Sequence, residues 1–269
     1  MISERLLHGC VALVTGGGRG WGQSIALAYA RQGAKVIVAA RTMSEVDHTV
    51  KMITDEGFYA VGKRLDLSSE ENIYQVVDEI KKEFGRLDIL VNNAARRALK
   101  HFEDMSMDDL KLTLQVNLVG SILLCKLALP LMINQGGGSL INVSSNSGVM
   151  GFEDEVDYCT SKFALEGFSK ALAEEVRGHN IAVNTITPGG SDDGVFIKPT
   201  NITKEELDGM TEEEQGQWSD SIVMTEAFVF LGLQRGEGVS GERILAYKLS
   251  EKIRQDGWDI SYVPIPPGI

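Results

Sequence analysis

The sequence predicts an α/β fold, a doubly wound parallel sheet of about seven strands with helices on both faces. Three observations carry that expectation. Short apolar runs alternate regularly with helical patterns, as in sheets wound by right-handed crossovers. The runs are apolar throughout, which marks strands covered on both faces. The first run, "CVALVT", stops in a glycine cluster that opens a helix.

In chain order the expected strands are 11–15, 35–40, 59–65, 87–91, 139–143 and 181–186, with a last one at 243–246. Helical patterns fill the intervals at 23–32, 44–56, 69–84, 108–134 and 158–177. No linker, repeat or low-complexity tract interrupts them, so residues 1–269 read as one domain. Two segments break the rhythm. Residues 189–220 are rich in acids, which read as a solvated helical face, and the segment is long enough to form a lid over a substrate site. The tail, 247–269, starts helix-like and ends in "YVPIPPGI", whose prolines impose extended coil. The stretch 110–133 is apolar nearly all round. A helix covering one sheet face needs a single apolar stripe, so the excess implies either a homo-oligomer, dimer or tetramer, packed through this helix, or a helix covered by the chain's own lid.

Composition narrows the function classes. With 43% hydrophobic and 24% charged residues, a chain of 269 can fill a core. A net charge of −12 opposes nucleic acid and anionic membrane as partners. Cys10, Cys125 and Cys159 are far apart and form no CxxC, which suits free thiols in a reducing compartment and no metal site. Neither a signal-peptide core nor eighteen uninterrupted apolar residues occurs, so a cytoplasmic protein without a membrane span is expected.

The loop "TGGGRGWG" follows the first strand and precedes the first helix. At that place backbone N–H groups meet a pyrophosphate, with Gly16, Gly20 and Gly22 making room. Dinucleotide sheets that bind NAD carry an acid at the end of the second strand for the ribose 2′-hydroxyl. Here Arg41 stands there, nineteen residues past Gly22, and no acid follows until Glu45. Arg19 leaves the loop toward the same end. Two guanidinium groups without an opposing acid suit a 2′-phosphate, hence NADP(H).

Further motifs follow in order: "LDL" at Leu65–Leu67, "NNAA" at Asn92–Ala95, Asn117, "INVSS", "YCTSK" and "TPGG". With the glycine loop they resemble the short-chain dehydrogenase/reductase superfamily, in its single-domain branch, over about residues 6–246. The resemblance implies a Rossmann-type fold and interconversion of a ketone or aldehyde with an alcohol, a small-molecule substrate. It implies that Gly18 and the backbone of Trp21 join the phosphate loop, with the indole packed inward. Asp66 and Leu67 would meet the adenine, and Asn93, Ala94, Pro188 and Gly189 would line the rest of the cofactor cleft. Arg19 and Arg41 occupy both positions at which NADP-preferring members carry a base.

Tyr158 and Lys162 are one turn apart on a helix. An ammonium beside a phenol lowers its pKa and so enables proton exchange with a substrate oxygen; by resemblance Lys162 also holds the nicotinamide ribose. Among Ser144, Ser145 and Ser147, Ser145 lies thirteen residues before Tyr158, the place the family gives its catalytic serine. There it would donate to the substrate carbonyl. Asn117 would interrupt its helix and hold a water that relays protons to Lys162. An NAD(P)-binding sensor or a non-redox relative remains the alternative.

The departures are as clear as the matches. Ala95 stands for glycine, "SDDG" follows "TPGG" with Ser191 nearest the usual threonine, and the C-terminal "GG" is missing. Arg96, Arg97, Lys100 and His101 form either a rim for an acidic substrate or solvated charge. Glu153, Asp154, Glu155 and Asp157 oppose them in sign.

Overall fold

The computed structural model describes residues 5–188, 196–197 and 218–259. The expected lid, apart from five residues, lies outside them, as do Gly189, Ser191 and the end of the tail. Strand β1 (Val11–Thr15) leads into helix α1 (Gly20–Arg31), then β2 (Lys35–Ala40), α2 (Met43–Asp55), β3 (Ala60–Arg64), α3 (Glu70–Phe84) and β4 (Ile89–Asn92). The second half holds α4 (Met107–Leu114), α5 (Gly120–Asn134), β5 (Gly138–Val143), α6 (Val156–Val176) and β6 (Ile181–Thr187). Two short strands, β7 (Phe196–Ile197) and β8 (Trp218–Ser219), pair with each other. Helix α7 (Thr225–Leu233), β9 (Arg243–Leu245) and α8 (Ala246–Asp256) complete the described chain.

The main sheet has seven parallel strands in the order β3-β2-β1-β4-β5-β6-β9. This is the Rossmann-type arrangement expected from the sequence. The order reverses between β1 and β4, which opens a crevice at the carboxyl ends of those strands. Alternation along the strands divides the core. Ala12, Val14, Val36 and Val38 pack on one face, with Ile25, Phe228 and Leu249. Their neighbours Val11, Leu13, Ile37 and Ala39 pack on the other, with Ile73, Leu124 and Val176. Successive side chains of a strand point to opposite faces, so continuous apolar runs feed both layers.

Two expectations need correction, and two further elements are placed more closely. Strand β3 is half-buried and carries Lys63 and Arg64, because it is an edge strand and not a doubly covered one. Helix α7 has no counterpart among the expected helices: nearly every residue from Thr225 to Gly232 is buried, which erases the periodicity that marks a surface helix. The beginning of the tail is helix α8, whose Leu249 and Ile253 enter the core. Finally, residues 107–134 run as one helix, through a π turn at Gln115–Val119, and are long and apolar enough to cross a membrane. Half of the most apolar window is buried in the fold, where the helix packs on α3 and the sheet. It is a core helix of this domain.

Candidate active site

Helix α1 begins with its N-cap, Arg19, making no side-chain capping bond, and with no acid in its first turn. By contrast Ser69 caps α3, and Ser106 with Asp109 forms a capping box on α4. An uncapped helix start free of acid is fit to meet an anion.

The glycines beneath it serve the protein's own packing first. A Cβ on Gly22 would lie 2.2 Å from the Gly16 carbonyl oxygen, and one on Gly18 would lie 2.8 Å from Glu45 Cβ. Gly16 adopts φ +65° against Asn93. Asn93 Nδ2 donates to the Thr15 carbonyl at 2.9 Å, while the backbone N–H groups of Asn93 and Ala94 both donate to Thr15 Oγ1 at 3.0 Å. The loop and the turn after β4 are thereby one wall, and the Asn93 Nδ2 helps to build it.

Trp21 is half-buried against the core on the α7 side, as the sequence suggests for its indole, and its Nε1–H has no partner among the described residues. Leu67 is buried, and Asp66 accepts from the backbone N–H and hydroxyl of Ser68 at 2.9 and 2.6 Å. Arg41 is exposed just past β2, where its charge favours the ionised Asp66. Arg19 is 64% exposed, and here the expectation of arginines without an opposing acid fails. Its guanidinium lies 3.6 Å from Glu45 Oε1, because α2 brings Glu45 back over the loop. An uncapped helix start, a glycine cradle and two exposed guanidinium groups fit a phosphorylated dinucleotide.

On the other side of the crevice, β5 ends beneath Ser144 and Ser145. Ser144 Oγ is buried without a partner among the described residues, and a Cβ on Gly148 would lie 2.8 Å from it. It therefore faces inward. Ser145 lies beside the Tyr158 phenol, where its hydroxyl favours the ionised form. Ser147 lies beyond, its Oγ 3.2 Å from Ser145 Oγ.

Lys162 is fully buried and donates to the Val143 carbonyl at 2.7 Å, with Nζ 5.4 Å from the centre of the Tyr158 ring. Burial pushes its ammonium down to about 8, against the pull of Glu166 one turn on. Tyr158 is pushed up to about 12, by burial and then by the Glu155 charge, with the Ser145 hydroxyl opposing. Against the expectation of a lowered phenol, its pKa is raised on balance, because burial dominates and the Glu155 charge adds to it.

Asn117 sits in the π turn. Its Oδ1 accepts from Arg96 N–H at 2.8 Å, and its Nδ2 donates to the Arg96 carbonyl at 2.8 Å and to Ser161 Oγ at 3.0 Å. The side chain is a clamp between three elements. A relay at this residue would run through backbone carbonyls that the π turn releases from the helix ladder.

The charged stretches before α4 and α6 are largely exposed to solvent and paired with each other. Arg97 Nη1 donates to Glu155 Oε1 at 2.6 Å, Lys100 Nζ to Asp109 Oδ2 at 2.8 Å, and His101 Nδ1 lies 3.0 Å from Asp154. Arg96 lies 3.7 Å from Asp109. Backbone contacts reinforce the latch: Lys100 N–H donates to the Asp154 carbonyl and Ala98 N–H to Asp157 Oδ2, which also accepts from Thr113 at 2.6 Å. Leu99 and Asp154 adopt φ of 52° and 62°, strained values for side-chain-bearing residues that the latch overdetermines. The opposed charges of these stretches were visible in the sequence; their pairing was not.

A second group that sequence reasoning missed lies under the site. Arg243 of β9 reaches Glu166 at 3.4 Å, the Ser145 carbonyl at 3.5 Å and Asn146 Oδ1 at 3.3 Å. Glu166 also accepts from Thr185 Oγ1 at 2.7 Å.

Comparison with known proteins agrees with this geometry. The sequence profile of the short chain dehydrogenase family matches residues 10–205. The chain is 36% identical over 182 residues to a D-threitol dehydrogenase of Mycolicibacterium smegmatis, covering 68% of this chain and 70% of the relative. It is 34% identical over 246 residues to a 3-oxoacyl-[acyl-carrier-protein] reductase of Aquifex aeolicus, covering 90% and 97%. A Beutenbergia cavernae protein, assigned as an NAD(P) dependent gluconate 5-dehydrogenase and solved with NADP at low occupancy, superposes with a TM-score of 0.79. The two are 29% identical, over 91% of this chain and 97% of that one.

Proposed function

Because the chain belongs to the short-chain dehydrogenase family, we propose that it is an NADP(H)-dependent oxidoreductase interconverting a ketone or aldehyde and an alcohol. The single observation that carries this reading is the assembly of Ser145, Tyr158 and buried Lys162 at the carboxyl end of β5.

When bound, NADPH supplies the hydride. It would lie with its diphosphate on the start of α1 and its 2′-phosphate between Arg19 and Arg41, where the phosphate takes over from Glu45 as the partner of Arg19. Asp66, Leu67, Ala94 and Pro188 border its path. Tyr158 keeps its proton at neutral pH, since burial and Glu155 hold its pKa high, so it acts as the acid in reduction. Ser145 donates to the carbonyl oxygen as negative charge grows there. Lys162, still largely charged near neutrality, stabilises the phenolate that remains. Asn117 holds the turn after β4 against α6, which keeps these groups in register.

The outer faces of α4–α5 and α6 present Leu112, Val119, Ile133 and Phe163 to solvent. Apolar side chains aligned along two packed helices support a homo-oligomer built through them. A cytoplasmic location agrees with three free cysteines.

The test is NADPH fluorescence on mixing, followed by NADPH oxidation with a panel of ketones and aldehydes. Binding with turnover of at least one carbonyl is expected. Binding without turnover of any would favour a dinucleotide sensor.

A further inference from the structure

The latch around the site contains one pair unlike the others. Arg96, Lys100 and His101 meet Asp109 and Asp154 at the surface. Glu155 is only 9% exposed, and both of its oxygens are engaged. Oε1 accepts from Arg97 and Oε2 from the Ser147 hydroxyl, each at 2.6 Å. Ser147 Oγ in turn lies 3.2 Å from Ser145 Oγ, which lies beside the Tyr158 phenol. A carboxylate only accepts, so Ser147 donates to Glu155; the single Ser145 proton goes to Ser147 in the free site and to the carbonyl oxygen when substrate is bound. Glu155 thus stands two hydroxyls away from the reacting centre.

Arg97 carries the pair outward. Its side chain is 39% exposed, and only Nη1 is engaged with Glu155. Four further N–H donors of the guanidinium remain for another partner. Donors and a strong acceptor stand side by side with no net charge between them. That chemistry matches a hydroxyl, which both donates and accepts. It does not match an anion, for which every cation of this rim is already neutralised. It does not match an aliphatic chain either, which would cover Arg97 and Glu155 without bonding to them, at a desolvation cost.

We propose that Glu155 and Arg97 are specificity-determining residues that bind a hydroxyl on the carbon next to the reacting carbonyl, which makes the substrate an uncharged hydroxyketone and the product a vicinal diol. The proposal rests on the oxidoreductase reading above. With the carbonyl oxygen between Ser145 and Tyr158, a hydroxyl on the adjacent carbon comes within reach of Ser147 and Glu155. It then gives its proton as a hydrogen bond to the carboxylate and accepts from Arg97. The reaction balances as a reduction: the carbonyl carbon gains the hydride supplied by NADPH, its oxygen gains the Tyr158 proton, and NADP⁺ and the diol leave.

The experiment compares kcat/KM of the full-length enzyme with NADPH for four small carbonyls. These are 1-hydroxypropan-2-one, butan-2-one of the same size, 1-methoxypropan-2-one, which keeps the inductive oxygen but cannot donate, and the anionic pyruvate. A site built to bond a hydroxyl discriminates strongly against analogues that lack it. The hydroxyketone is expected to exceed the methoxy compound and butanone by about 100-fold or more, with pyruvate lowest. Glu155→Gln, which keeps shape but loses the charge, should shrink the hydroxyketone-to-butanone ratio at least about tenfold, and Arg97→Met about fivefold. A wild-type ratio below about threefold, pyruvate as the best substrate, or equal losses for both ketones in the variants overturns the assignment. The wild-type comparison stands even where a variant does not fold. Turnover of butanone without preference sinks this inference alone. NADPH binding with no turnover of any of the four sinks the oxidoreductase reading and this inference with it.

Discussion

The two walls of the crevice are built by different means. The wall beneath the dinucleotide consists of backbone and glycine, with Gly22 closing on the Gly16 carbonyl and Asn93 tied to Thr15. The wall facing the substrate consists of ion pairs and hydrogen bonds between segments almost sixty residues apart, such as Arg97 with Glu155 and the Ala98 N–H with Asp157. A backbone cradle tolerates little change in residue type, because an added methyl group meets fixed atoms. Ion pairs can be exchanged for other pairs or moved by a turn. The first wall therefore suits an invariant ligand, and the second is where a substrate preference can be set.

The sharpest way to break this contrast is Gly22→Ala. A Cβ 2.2 Å from a backbone oxygen and 2.6 Å from Asn93 Nδ2 cannot be relieved by a side-chain rotation. NADPH affinity should fall by about 100-fold or more, read by fluorescence titration, with the helix content of the protein unchanged in circular dichroism. Unaltered affinity would mean that the cradle does not support the cofactor.

A smaller effect is expected at the adenosine end. Arg19→Ala and Arg41→Ala should each raise the NADPH KM by about tenfold and leave the NADH KM nearly constant, since each removes a charged partner of the 2′-phosphate alone. If both cofactors respond equally, the arginines act on the diphosphate or on the loop. Glu45→Gln sharpens the same point, because it frees Arg19 from its pair at 3.6 Å and should lower the NADPH KM.

How much of this could be read in the sequence follows the same division. The parallel sheet with its strand positions, the glycine loop between β1 and α1 and the one-turn spacing of Tyr158 and Lys162 were legible, because each is a local pattern imposed by backbone geometry or by one helical turn. Helix α7 was not, since burial on all sides removes its periodicity. Neither was the Arg19–Glu45 contact, which depends on how α2 folds back over the loop. The latch was half legible: both charged stretches stood out, yet nothing local says that residue 97 meets 155 and not 153. The Tyr158 pKa was misjudged because a helical spacing shows the ammonium and hides the burial.

The smallest expected effect is a pH shift at Glu166. This carboxylate raises the Lys162 pKa against burial, which holds it near about 8. Arg243 and Thr185 are its other partners. In Glu166→Gln the opposition to burial is lost, so Lys162 gives up its proton at lower pH. The basic limb of kcat/KM for reduction should then move toward neutrality, while the acidic side is unaltered. A limb that stays in place would show that Lys162 does not set it.

The central claim, that Tyr158 delivers the proton while the opposite wall holds the cofactor, is met most directly by Tyr158→Phe. NADPH titration and single-turnover reduction are followed on the same preparation. The account predicts an NADPH Kd within about threefold of the parent and turnover lowered by about 1,000-fold or more. Turnover retained within about tenfold would contradict it.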